Sequence, residues 1–156
     1  MFEARENLVR RAIEIGEQAA TWADVPIGAF VIDETGGVLA EGCNTRERDA
    51  DPTGHAEINA LRAAAHARRS WNLSGCTLVV NLEPCTMCAG AIVNARISRV
   101  IFGAWDPKAG AAGSVRDVLR DQRLAHTVEV IGGVLDTQAC ERLQQWFEEL
   151  RLKRQK

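Results

Sequence analysis

The chain has 156 residues, 46% of them hydrophobic and 26% charged, and 19 basic against 21 acidic side chains leave a net charge of −2. That is average usage for one globular domain, long enough to remove roughly 68–70% of the unfolded chain's surface from water, and it excludes a disordered, collagen-like or coiled-coil chain. No apolar run approaches the roughly 20 residues of a membrane helix, and Glu3 and Glu6 stand where a targeting peptide would be apolar or free of acids, so a single cytoplasmic domain over residues 1–156, with no membrane partner, is expected.

Leu8, Ala12, Ile15 and Ala19 recur at i, i+4, i+7 and i+11, which predicts an amphipathic helix over Arg5–Ala20. Ile27–Ile32 and Val38–Cys43 read as two strands joined by the turn Glu34-Thr35-Gly36-Gly37, where glycine tolerates positive φ. A polar loop, Thr45–Asp51, leads into an alanine-rich helix from His55 to Arg68. Thr77–Leu82 is a strand, Cys85–Ala95 a helix and Val100–Gly103 a strand. The glycine- and alanine-rich stretch Ala104–Ser114 is a loop, followed by a short helical piece over Val115–Leu119, a last strand at Val128–Ile131, and a closing helix marked by Ala139, Leu143, Trp146 and Leu150. Five strands interleaved with helices that must cover both sheet faces make an α/β fold, a three-layer α/β/α sandwich. The hairpin followed by βαβ steps makes its central five-stranded sheet mixed.

Five cysteines, an odd number in a chain without a secretion signal, point to a metal or a reactive thiol rather than to a disulfide framework. Cys85 and Cys88 are three residues apart, about 300° around a helix axis, so both sulfurs can reach one metal. His55 and Glu57 are two apart, about 200° round, so one coordinates and the other does something else. Pro84 suits the first position of a helix, which sets the cysteines near the positive end of a helix dipole, where thiolate is favoured. Asp51 or Thr53 is the expected N-cap of the preceding helix.

Three ligands, His55, Cys85 and Cys88, leave one tetrahedral position of Zn²⁺ open to water, as in catalytic rather than structural sites. A lone C-x-x-C is as often redox-active or half of a structural site; H-x-E and P-C-x-x-C in this order are far more specific. Cys43, Cys76, Cys140, His66 and His126 stand in no second ligand pattern. The chemistry implied is an acidified water with Glu57 as general base and then general acid, attacking an amidine-like carbon of a nucleobase with loss of ammonia.

The same residues resemble a known family. H-x-E followed by P-C-x-x-C is the zinc deaminase signature, and the segments Val25–Ala29, Asp51–Ile58, Leu82–Ala91 and Phe102–Ala111 resemble those of the bacterial tRNA-specific adenosine deaminases. The last segment, with its D-x-K-x-G-A loop, discriminates best, because cytosine, cytidine, guanine and riboflavin-pathway deaminases share the metal motif. The resemblance implies a cytidine-deaminase-like fold and conversion of the wobble adenosine of a tRNA anticodon to inosine, in a homodimer with one zinc per subunit. It implies zinc on His55, Cys85 and Cys88, a proton shuttle at Glu57, the flipped adenine hydrogen-bonded by Asn44 and walled by Ile27, and an anticodon loop contacted by Asp106 and Lys108. Asn44 and Asp106 also read as turn residues, and Lys108 as a solvated loop cation. Trp105 can stack on a base or pack inward, Trp146 and Phe147 share that ambiguity, and the basic tail Arg151, Lys153, Arg154 and Lys156 suits phosphates or the helix dipole. The alternative is a deaminase of a free base or nucleoside of the guanine or cytosine type, which the short chain and acidic balance suit, and the rival from another class is a non-catalytic zinc-stabilised module, for which Glu57 has no use.

Overall fold

The computed structural model describes residues Met1–Lys156. Its elements are α1 (Phe2–Ala20), β1 (Gly28–Ile32), β2 (Val38–Cys43), α2 (Ala56–Arg68), β3 (Thr77–Leu82), α3 (Thr86–Asn94), β4 (Arg99–Ala104), β5 (Glu129–Ile131) and α4 (Asp136–Arg154). The sheet order is β2-β1-β3-β4-β5, with β1 antiparallel to both its neighbours and β3, β4 and β5 mutually parallel. The mixed five-stranded sheet is the one the sequence predicts. No helix is long and apolar enough to cross a membrane.

Side chains that alternate along a strand separate the two layers. Ala29 and Val31, Leu78 and Val80, and Val100 and Phe102 face Ala56, Ala60 and Ala64 of α2 and Ala89, Ile92 and Val93 of α3. The intervening Phe30, Val79 and Ile101 pack under Val9 and Ala12 of α1 on the other face. Ala139 and Leu143 of α4 close the end of β4 at Ala104. Because β1 runs against β3, the start of β1 and the ends of β2, β3 and β4 meet at one edge of the sheet, where the segments 24–27, 44–55, 83–85 and 105–117 gather. Gly42 sets how closely α2 approaches that edge: a Cβ there would lie 2.5 Å from the Ala60 nitrogen and 2.7 Å from the Ala56 oxygen, so only a residue without one lets the first turn of α2 rest on β2.

Three expectations are corrected. Val115–Leu119 is not helical; it folds back, with the N–H groups of Val115 and Arg116 donating to the Gly110 carbonyl, Val118 N–H to Ala111, and Ala112 bridged to Asp117. The backbone groups a helix there would use are already engaged. Pro84 precedes α3 instead of opening it, because Cys85 is extended (ψ 175°) and bridged to Gly110. Neither Asp51 nor Thr53 caps α2: Asp51 accepts from the N–H and hydroxyl of Thr53, both at 2.8 Å, and His55 takes the cap position.

Leu78 is fully buried and Leu152 is 63% exposed. Leu78→Ala is expected to cost about 2–5 kcal/mol, and Leu152→Ala about 0.5 or less, in urea unfolding of the two variants in the same metal state.

Candidate active site

The structure makes His55 the N-cap of α2 and Cys85 the N-cap of α3, both with extended backbone (φ −80°, ψ 152° and φ −75°, ψ 175°). Neither side chain therefore has to follow a helical face. Cys88, one turn into α3, is fully buried. His55 Nδ1 lies 3.6 Å from Cys85 Sγ and 3.4 Å from Cys88 Sγ, and the three donor atoms all fall within 4.8 Å of one another. A tetrahedral zinc bonded at about 2.3 Å to sulfur and about 2.05 Å to nitrogen would hold N and S about 3.6 Å apart. The spacing and the N/S₂ donor set therefore fit zinc. Cys43, Cys76, Cys140, His66 and His126 do not join the group. His126 Nε2 instead lies 2.7 Å from the Ile97 carbonyl.

Electrostatics around the donors are asymmetric. The Cys88 thiol beside Cys85 Sγ, helped by His55, brings Cys85 down to about 4, against the opposing effect of burial. Cys88 is pushed up, first by that same contact and then by burial. The contact with Cys85 raises His55 above its ordinary range. Glu57, at the second position of α2, is 4% exposed and lies beside Cys88; burial pushes its carboxyl up to about 7. A carboxylate that is not a third-sulfur substitute, next to the donor group and shielded from solvent, can hold and release a proton there.

Backbone hydrogen bonds bring the expected base-pocket residues to the same corner. Asn44 N–H donates to the Ile27 carbonyl at 3.0 Å, and Thr45 N–H to the Gly54 carbonyl at 2.9 Å, one residue from His55. Ile27 is half-buried. The Asn44 side chain accepts from Arg46 N–H at 3.1 Å and donates to the Val25 carbonyl at 3.4 Å, which is the turn geometry the sequence also allows. One amide N–H and one oxygen lone pair remain. Three supports escaped the sequence reading. Asn59 donates to the Cys43 carbonyl and the Thr45 hydroxyl, tying α2 to this strand end. Asn81 accepts from Gly28 N–H and donates to the Pro26 carbonyl. Asp24, 1% exposed, accepts the N–H groups of Glu47 and Arg48. Asp24 precedes the apolar Val25-Pro26-Ile27, and that flank is the one signal that could have marked it.

On the far side, Asp106 closes its own turn by accepting from Lys108 and Ala109 N–H, and Lys108 is exposed at the tip. Trp105 is 43% exposed and meets Phe102 edge-on, ring centroids 4.8 Å apart. Trp146 is buried and Phe147 exposed, and the basic tail forms the exposed last turn of α4. Glu83, directly before Pro84, is buried as well and was also missed.

A mixed sheet with a histidine and two cysteines at converging helix starts makes a three-donor N/S₂ metal site, and the likeness to known proteins assigns it to the zinc deaminases. The model of the cytidine and deoxycytidylate deaminase zinc-binding region matches residues 2–104. The chain is 42% identical over 149 residues to the tRNA-specific adenosine deaminase of Haemophilus influenzae, covering 96% of this chain and 86% of that protein. It is 40% identical to the tRNA-specific adenosine deaminase of Bacillus subtilis, covering 96% and 92%. A solved structure from studies of A-to-I editing by tRNA:A34 deaminases superposes with a TM-score of 0.80 at 38% identity, covering 84% of this chain and 94% of that one. The chain belongs to the cytidine and deoxycytidylate deaminase zinc-binding family and, within it, to the family of tRNA-specific adenosine deaminases.

Cys88→Ala is expected to lower zinc content well below that of the unaltered protein, whereas Cys76→Ala leaves it unchanged; elemental analysis reads both. Unchanged zinc in Cys88→Ala would remove Cys88 from the donor set.

Proposed function

We propose that the protein deaminates the wobble adenosine of a tRNA anticodon to inosine, with water consumed and ammonia released. The observation that carries this reading is that the likeness to tRNA-specific adenosine deaminases spans 149 residues, well past the zinc-binding region that ends at residue 104, and so includes the Asp106–Lys108 loop. His55, Cys85 and Cys88 would hold a zinc ion, which when bound would supply the Lewis acidity that acidifies water towards neutral pH. Glu57 takes the proton of the attacking water and passes it to the exocyclic nitrogen of adenine, which then leaves as ammonia. Its burial beside Cys88 keeps that carboxyl away from bulk water. The remaining N–H and lone pair of Asn44 hydrogen-bond the purine edge, and Ile27 walls the base. Asp106 and Lys108 contact the anticodon loop, whose unpaired bases cost less to extrude than duplex bases.

The overall acidity confines the RNA-binding surface to a local patch, and ten of the acidic side chains fall in residues 1–50. The protein acts in the cytoplasm as a homodimer with one zinc per subunit. Gly90 and Ala91 are half-buried on α3, and open space over Gly90 would admit a second copy. Sedimentation equilibrium is expected to give twice the 17.1 kDa chain mass; a monomer mass at micromolar concentration would contradict this.

An anticodon stem-loop with adenosine at the wobble position is expected to yield inosine, while free adenosine, guanine and cytosine are left unchanged. Glu57→Gln is expected to keep zinc and fold yet lose about 10²–10⁴-fold in turnover. Activity on a free base with none on the stem-loop would favour the small-molecule reading, and a folded, fully active Glu57→Gln would remove the proton shuttle.

A further inference from the structure

We propose that Glu83 is a positioning residue for substrate binding: its buried carboxylate clamps the segment Asp106–Ser114 onto the metal-binding turn and thereby presents Asp106 and Lys108 to RNA. This rests on the tRNA reading for the identity of the ligand, but the clamp itself rests on geometry alone.

Glu83 is 1% exposed and sits between β3 and Cys85. Every hydrogen bond its side chain accepts comes from this one segment. Oε1 accepts the N–H groups of Ala112 at 3.1 Å and Ser114 at 3.0 Å. Oε2 accepts Asp106 N–H at 2.8 Å and the Ser114 hydroxyl. No lysine, arginine or histidine pairs with Glu83. A buried carboxylate without a counter-ion persists only where donors satisfy its lone pairs, so neither partner can leave without stranding the other.

Gly110 is a second, independent mark of the clamp. A Cβ on it would lie 2.2 Å from Glu83 Oε2 and 2.6 Å from the Asp106 carbonyl, so the segment wraps the carboxylate too tightly for any side chain at that position. The wrapped segment also rests on the ligand turn: Ala111 N–H donates to the Pro84 carbonyl at 2.8 Å, and Gly110 bridges to Cys85. With its inner donors consumed, the turn after Asp106 leaves Pro107, Lys108 and Ala109 exposed at its tip. Residues 105–117 form no helix or strand, so the carboxylate supplies the order that a ladder would otherwise give. A loop fixed before the ligand arrives loses less conformational freedom on binding, and removing the clamp should therefore weaken substrate binding more than the chemical step.

The test is Glu83→Gln in the zinc-loaded full chain. Glutamine keeps one acceptor oxygen and turns an NH₂ group towards donors that need an acceptor. Hydrogen exchange of the Asp106, Ala112 and Ser114 amides is expected to rise about tenfold or more, with the amides of β3 and α2 and the zinc content unchanged. On the anticodon stem-loop, KM is expected to rise about tenfold while kcat falls by less than about threefold. Unchanged exchange overturns the clamp. Raised exchange with unchanged KM overturns its role in presenting the loop, and zinc loss with a fallen kcat assigns Glu83 to the metal site instead. Should the unaltered protein fail to turn over the stem-loop, the substrate reading fails and the RNA half of the proposal with it, while exchange still decides on the clamp. If Glu83→Gln does not fold, Ser114→Ala, which removes only the hydroxyl donor, is expected to raise KM about threefold, and an unchanged KM there overturns the proposal.

Discussion

Two helix N-termini pointed at one spot are what the remainder of this molecule arranges. Each begins with a ligand in extended conformation, His55 before α2 and Cys85 before α3, and Cys88 joins from the next turn. The resulting 3.4 and 3.6 Å separations between His55 Nδ1 and the sulfurs are those a tetrahedral zinc imposes. The sheet order makes this possible. With β1 antiparallel to β2 and β3, the end of β2 that carries Asn44 and the end of β3 that carries Cys85 open on the same edge. Gly42 lets α2 settle close enough for its N-cap, His55, to reach the cysteines. This convergence gives a three-donor metal site; the class, a zinc deaminase, follows from the match to the zinc-binding region over residues 2–104, and membership among tRNA-specific adenosine deaminases from the likeness over 149 residues.

Three buried acids gather at the same edge and are used differently. Glu57 lies beside the sulfurs, where burial pushes its carboxyl up to about 7, which suits the proton shuttle proposed for it. Asp24 and Glu83 instead accept backbone N–H groups, Asp24 from Glu47 and Arg48 and Glu83 from Asp106, Ala112 and Ser114. A carboxylate accepts several donors at once, and such charge-assisted bonds are stronger than neutral ones. The loops that flank the site are thus tied down from beneath by acids, and their exposed tips remain free to meet a ligand. The excess of acidic residues over the first 50 positions is in part this internal scaffolding rather than an anionic surface, since Asp24 is 1% exposed.

The donor set His55, Cys85 and Cys88 was legible because two short motifs, H-x-E and P-C-x-x-C, carry it in order, although His55 and Cys85 serve as helix N-caps and not from a helical face. The layered fold was legible for the same reason: alternation in Leu78-Val79-Val80 and Val100-Ile101-Phe102 assigns each residue to a face. What failed were the features decided by which of several partners claims a group, whether near in sequence, as for Asp51 and Val115–Leu119, or far, as for Pro84. Val115–Leu119 carries a helical pattern, yet the Gly110 and Ala111 carbonyls claim its backbone donors. Asp51 has the chemistry of a helix cap but spends it on Thr53, and Pro84 loses the first helical position because Gly110 holds Cys85 extended. Glu83 was invisible because an acid at a strand end reads as solvated; only the fold brings four donors around it. Strand order likewise depends on pairings that no periodicity encodes.

The most direct test of the central claim is X-ray absorption at the zinc edge of the purified protein. The arrangement described here predicts two sulfur scatterers at about 2.3 Å and two nitrogen or oxygen scatterers near 2.0 Å. Three or four sulfurs, or protein that purifies without zinc and cannot be loaded with it, would contradict a three-donor centre with an open position.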